Sequence, residues 1–155
     1  MTEELYLTSY DIYLAHSSME RDRGKELQKE LEEVGYKVYN PFYTRRREDI
    51  AAIDAGEARL WDFKGRRQEA LMNIVWPDLT AVANARMLLA ILPKEMKVFG
   101  TVCEIFWAWQ LHKEVVIITD THKGHPWVEG LSDQVGTQVE IWNILRSLDF
   151  LPGVR

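Results

Sequence analysis

Six consecutive apolar residues, Met87-Leu88-Leu89-Ala90-Ile91-Leu92, leave water no face to occupy. A strand of that kind must be covered on both sides, the situation of an inner strand in a parallel sheet flanked by helices. The neighbouring pattern agrees. Ile12-Tyr13-Leu14-Ala15 is another short apolar run, followed by the polar turn His16-Ser17-Ser18. A helix is predicted from about Met19 to Glu33, because Leu27, Leu31 and Val34 recur at helical spacing; Ser17 or Ser18 could cap its start and Gly35 close it. Tyr36-Lys37-Val38-Tyr39 alternates as a strand and is broken by Asn40-Pro41-Phe42. Strand, helix and strand within about thirty residues is the βαβ unit of a parallel sheet.

Val115-Val116-Ile117-Ile118 supplies a fourth strand, and His122 to Pro126 reads as the loop after it. Gln138 to Leu148 reads as a last helix, with Val139, Trp142 and Leu145 on one face. The expected fold is α/β: a three-layer α/β/α domain with a small parallel sheet, flavodoxin- or Rossmann-like, with residues 1–155 in a single domain. The stretch from Tyr43 to Arg67 is charged, carries Gly56 and Gly65, and reads as short helices with a mobile loop. Within it, Arg45-Arg46-Arg47 reads as a solvated turn or a phosphate contact. Gln68 to Trp76 reads as helix. Pro77 then suits the first turn of a new helix running to about Asn84, which puts Asp78 at a helix start.

Composition narrows the function. A net charge of −5 disfavours general binding to nucleic acid, and no run approaches the ~18 apolar residues of a membrane span. Glu3 and Glu4 stand where a secretory signal would be basic, and one cysteine, Cys103, fits a reducing cytosol, so a cytoplasmic protein is expected. His122 and His125 have no third ligand at metal spacing, and no glycine-rich phosphate loop occurs, so neither metal nor cofactor is expected. Most of the six tryptophans are expected in the core or at a subunit interface.

Gly100-Thr101-Val102-Cys103-Glu104 opens a helix continued by Ile105, Phe106, Trp107, Ala108, Trp109 and Leu111, apolar on nearly every face and so expected to be buried. A lone carboxylate there must be paired, capped or chemically employed. Two readings fit the spacing. In one, Thr101 is the N-cap and Glu104 the N3 residue of a capping box. In the other, Glu104 is an ionised carboxylate at the positive end of the helix dipole, facing the carboxyl ends of the strands where ligands bind. Gly100 then leaves room for a substrate, and the carboxylate is a competent nucleophile toward a sugar carbon. Spacing alone leaves both open.

The order of these segments resembles the nucleoside 2-deoxyribosyltransferase family. The resemblance rests on Tyr13-Leu14-Ala15 before a polar turn and on Asp78-Leu79-Thr80-Ala81-Val82 leading to Met87-Leu88-Leu89-Ala90. It continues through Gly100-Thr101-Val102-Cys103-Glu104 with Ala108 as a G-T-x-x-E-x-x-x-A motif, and through Val115 to Thr119. It spans roughly Ile12 to Ile118, with an echo at Leu131-Ser132-Asp133-Gln134.

It implies that Glu104 attacks the anomeric carbon, that Asp78 exchanges a proton with the base, and that Tyr13 steadies Glu104 through its phenol. Ala15, His16, Ser17, Phe42, Gly100 and Thr101 would touch substrate. Asp133 and Gln134 would reach into a neighbouring subunit's pocket, making a homo-oligomer, dimer or hexamer. Partners would be a nucleoside or nucleotide and a free base, with no cofactor, nucleic acid or membrane. A nearby branch resembles the 2-deoxynucleoside 5-monophosphate N-glycosidases, which hydrolyse; Ser17, Ser18 and the first helix, with Arg21 or Arg23, would then cradle a phosphate. A third reading is a nucleotide-binding sensor on the same fold without catalysis. The sequence departs from the family where Ala85-Arg86 replaces the usual Ala-Asp, and where the loop from Lys94 to Phe99 offers only Glu95 as a second acid.

Overall fold

The computed structural model describes residues 9–44, 67–95 and 98–153. Five parallel strands form one sheet in the order β2-β1-β3-β4-β5: β1 (Tyr10–Ala15), β2 (Val38–Tyr39), β3 (Ala85–Ile91), β4 (Glu114–Ile118) and β5 (Gln134–Gly136). The alternation of side chains divides the interior into two layers. Tyr13, Ala15, Tyr39, Leu88, Ala90 and Ile117 pack under α2 (Arg67–Asn84), α3 (Phe99–Gln110) and α4 (Pro126–Gly130). Ile12, Leu14, Met87, Leu89 and Ile118 pack under α1 (Arg21–Val34) and α5 (Ile141–Ser147). The three-layer α/β/α architecture expected from the buried strands is therefore present. β1 lies between β2 and β3, so the chain reverses its direction of travel across the sheet there. The crevice at the carboxyl ends of β1 and β3 is the switch point where such sheets bind ligands.

Local expectations need correction in several places. Ser17 makes no side-chain cap bond, and Ser18–Glu20 forms a short 3-10 turn before α1. Gly35 ends α1 as expected, at φ 108, a left-handed geometry that glycine adopts without strain. α2 is one continuous helix with Pro77 inside it, so Asp78 is not at a helix start. Packing explains why: Asp78, Ala81 and Val82 are buried on this helix, and that burial outweighs the single helical hydrogen bond proline cannot donate. α3 begins at Phe99 with Val98 as its N-cap and no side-chain cap, which removes the capping-box reading of Thr101 and Glu104. Glu104 consequently lies in the second turn, beyond most of the reach of the dipole end.

α3 is not buried on nearly every face either. Thr101, Glu104, Ile105 and Ala108 face inward, while Phe99, Val102, Phe106 and Trp109 form an exposed apolar stripe. None of the tryptophans among the described residues is fully buried: Trp76, Trp109 and Trp127 are exposed, and Trp107 and Trp142 are half-buried against the two core layers. β5 was not expected. In the last helical segment Val139 is 85% exposed, on the short turn Gln138–Glu140, and the inward face is Ile141, Ile144 and Leu145. The Arg45-Arg46-Arg47 cluster, Gly56 and Gly65 lie outside the described residues. Among the described residues no helix is long and apolar enough to cross a membrane.

Candidate active site

Adjacent strands put two tyrosines side by side. Tyr13 on β1 is in register with Tyr39 on β2, and both point to the α2 and α3 side. Their rings stack with centroids 5.3 Å apart and planes 17° from parallel. Each phenol donates to a different helix: Tyr13 Oη to Glu104 Oε1 of α3 at 2.8 Å, and Tyr39 Oη to Asp78 Oδ1 of α2 at 3.3 Å. The two helices are themselves tied, because the Trp107 indole N–H donates to the Leu79 carbonyl at 3.1 Å. Two carboxylates, 8% and 9% exposed, are thus brought over one pair of rings beside the switch point. Phenol donation favours the ionised carboxylate and fixes its orientation.

A second polar group sits against α1. His16, 4% exposed, has Nε2 at 2.9 Å from Asn40 Oδ1 and Nδ1 at 3.0 Å from the Ser17 carbonyl. The Phe42 N–H also donates to Asn40 Oδ1, at 3.1 Å, which fixes the carboxamide's direction. The Phe42 ring lies 4.9 Å from the imidazole, and the Arg21 guanidinium sits 4.8 Å over the same ring. Burial holds His16 below its ordinary proton affinity, outweighing the two hydrogen bonds and Glu20, which favour the charged ring. Gly24 makes this packing possible: a Cβ there would meet His16 Nε2 at 2.5 Å. Two buried atoms of this group, Ser17 Oγ and Asn40 Nδ2, have no hydrogen-bond partner among the described residues.

The sequence-predicted residues therefore divide. Tyr13, Asp78 and Glu104 come together, with Ala15 and Thr101 buried nearby in strand and helix. Gly100 is exposed, and a Cβ on it would meet nothing within 4 Å. His16, Ser17 and Phe42 form the second group. Asp133 and Gln134 are not with either. Gln134 begins β5, opposite Val116, and the Asp133 carboxylate accepts the Val115 N–H at 2.8 Å, so within this chain both lie toward the amino ends of the strands. Sequence reasoning missed Tyr39, Asn40 and Gly24. Tyr39 holds in β2 the alternation place that Tyr13 holds in β1, and a lone glycine inside a helical pattern is itself a sign of close approach. Among the described residues no cluster of three or more His, Cys, Asp or Glu could hold a metal ion.

Fold and site together define a flavodoxin-like α/β domain with a pair of buried acids at its switch point. In its fold the chain is similar to a solved 2-deoxyribosyltransferase from the psychrotolerant bacterium Bacillus psychrosaccharolyticus, with a TM-score of 0.63 and 17% sequence identity, covering 93% of this chain and 99% of that one. That protein is described as a suitable biocatalyst for synthesising antiviral and antitumoral nucleosides. By sequence, no family model and no curated protein matches the chain.

Proposed function

We propose that this chain is a nucleoside 2-deoxyribosyltransferase that works through a covalent ester on Glu104. The observation that carries the reading is the Tyr13–Glu104 hydrogen bond, which turns the helix acid toward the strand ends beside a second acid. A fold shared with a 2-deoxyribosyltransferase over nearly the whole chain supports the same class. In the first half-reaction a Glu104 carboxylate oxygen bonds to the anomeric carbon. The carbon–nitrogen bond breaks, its electron pair leaves with the base, and Asp78 supplies a proton to the base nitrogen. In the second, a nitrogen of another base attacks that carbon from the face the first base left. The ester oxygen departs as carboxylate, and Asp78 takes back a proton. Two inversions retain configuration, as in retaining glycosidases.

Thr101, Gly100, Ala15, His16, Ser17 and Phe42 would border the substrate, and Asp133 and Gln134 would act in the site of a neighbouring copy of a homo-oligomer. The reaction needs no cofactor, and the cytosol is the compartment the reading favours. One observation favours a second reading, hydrolysis of deoxynucleoside 5-monophosphates. The buried Ser17 Oγ and Asn40 Nδ2 have no partner among the described residues, and Arg21 lies over the Phe42 ring of the same group, a set that would suit phosphate oxygens. Incubation with deoxyinosine and free adenine, and separately with deoxynucleoside monophosphates alone, tests both. Formation of deoxyadenosine supports transfer, and free base from the monophosphates supports hydrolysis. Silence in both arms supports a sensor and ends the enzymatic reading.

A further inference from the structure

We infer that Tyr39 is a positioning residue that holds Asp78 as a hydrogen-bond acceptor and sets the pH at which it gives up its proton. The inference rests on the proposed role of Asp78 and names a residue that the sequence resemblance did not. A buried phenol needs an acceptor, and a backbone carbonyl suffices: Tyr36, on the opposite face of the sheet, donates to the Phe150 carbonyl. Tyr39, 1% exposed, donates instead to a carboxylate on another helix. Its ring is fixed on both sides, stacked on Tyr13 and edge-on to Tyr10 at 5.2 Å, so the phenol oxygen has little freedom to follow a moving partner.

The geometry also grades the two phenols. The Tyr13 bond to Glu104 is 2.8 Å and the Tyr39 bond to Asp78 is 3.3 Å. A group that must bind and release a proton in every turnover is served by the longer bond. Donation from Tyr39 biases Asp78 toward the carboxylate without locking it there. Breaking the bond should let Asp78 keep its proton to higher pH.

Tyr39→Phe keeps the ring and removes only the oxygen. For a nucleoside whose base must be protonated to leave, the basic limb of the kcat/KM profile should move upward by about half to one pH unit. A deoxyriboside with a nitrophenolate leaving group needs no proton, so its profile should be the same in both proteins. Tyr36→Phe, a phenol outside the site, should shift neither profile. Combined with Asp78→Asn, the Tyr39→Phe change should have no further effect on the nucleoside profile. An unmoved limb, an equal shift on the nitrophenyl substrate, or a further effect in the Asp78→Asn background overturns the inference. Should Tyr39→Phe fail to fold, Tyr39→His, which keeps a ring and a donor, should show the limb near its original place; a limb displaced upward there overturns the inference too. The parent reading fails separately: it falls if no sugar adduct forms on Glu104 with a slow fluorinated deoxynucleoside, whatever Tyr39 does.

Discussion

At the amino ends of the strands, Asp11 accepts the Lys37 N–H at 2.8 Å, the Gly153 N–H at 3.1 Å and the Arg86 guanidinium at 3.1 Å. At the carboxyl ends, Glu104 and Asp78 accept phenol protons from Tyr13 and Tyr39. All three acids are buried. A guanidinium and two amides neutralise a carboxylate and commit its lone pairs. A phenol orients a carboxylate through a neutral donor. The first arrangement is a staple. Arg86 extends it by donating to the Leu151 carbonyl at 2.7 Å and lying 4.3 Å over the Phe150 ring, so it fastens the C-terminal segment to β1 and β3. In the proposed reading, the second arrangement orients its two acids toward a substrate.

The largest test of that contrast is Glu104→Gln. Glutamine keeps the volume and can still accept from Tyr13, so stability should change by less than about 1 kcal/mol. Base exchange should fall by about a thousandfold or more, about 4 kcal/mol of transition-state stabilisation. Urea denaturation and a base-exchange assay measure the two sides. Stability lost with activity kept would make Glu104 a structural acid like Asp11. The mirror experiment is Asp11→Ala, which strands Arg86 and two amides. It should cost about 3 kcal/mol in urea unfolding while kcat stays within a few-fold of the parent. A large loss of kcat in folded protein would mean that the two ends of the sheet are coupled.

How much of this was legible follows from the range of each interaction. The strands were readable because Met87 to Leu92 and Val115 to Ile118 are apolar without alternation, a property of the segment itself. Glu104 was readable as an acid in apolar surroundings, whereas the role of Asp78 and the pairing of Tyr13 with Glu104 came only from the family resemblance, and Tyr39 not at all. Tyr13 and Glu104 are 91 residues apart, and no local spacing encodes that contact. The local pattern favoured a capping box at Thr101, and it fails because Val98 and Phe99 already start the helix. Pro77 misled for the same reason, a local preference set against burial along α2. β5 is three residues long and begins with Gln134, too short and too polar to carry a periodic signal.

An intermediate effect is expected at the second polar group, where the contrast between fastening and presenting is less sharp. Gly24→Ala would give α1 about 1 kcal/mol of helix propensity. The added Cβ, 2.5 Å from His16 Nε2, must push the imidazole off Asn40, an overpacking cost of about 1–3 kcal/mol. A net loss of about 1 kcal/mol in urea unfolding is expected, with a rise in KM because Asn40 and Phe42 lose their brace. A stabilised variant with unchanged KM would mean that His16 braces nothing the substrate feels.

The smallest expected effect is a pH slope from His16. Its folded-state proton affinity is lowered by burial, so above its ordinary value of 6.5 both folded and unfolded chains carry it neutral and it contributes no slope. As pH falls through 6.5 the unfolded chain takes up the proton first, and stability declines until the folded ring also protonates. Glu114 acts in the opposite sense: burial, with Asp133 beside it, raises its proton affinity above the ordinary 4.5, so falling pH through that raised value favours the folded chain. The two groups act in opposite senses as pH falls, so the total slope of the parent protein does not report His16 alone. Comparing the parent with His16→Gln cancels Glu114 and leaves the histidine. The stability difference between them should move against the parent as pH falls below 6.5 and be constant above it. A difference that moves in the parent's favour would mean that the two oxygen acceptors around the ring, the Ser17 carbonyl and Asn40 Oδ1, outweigh its burial and hold it as the imidazolium.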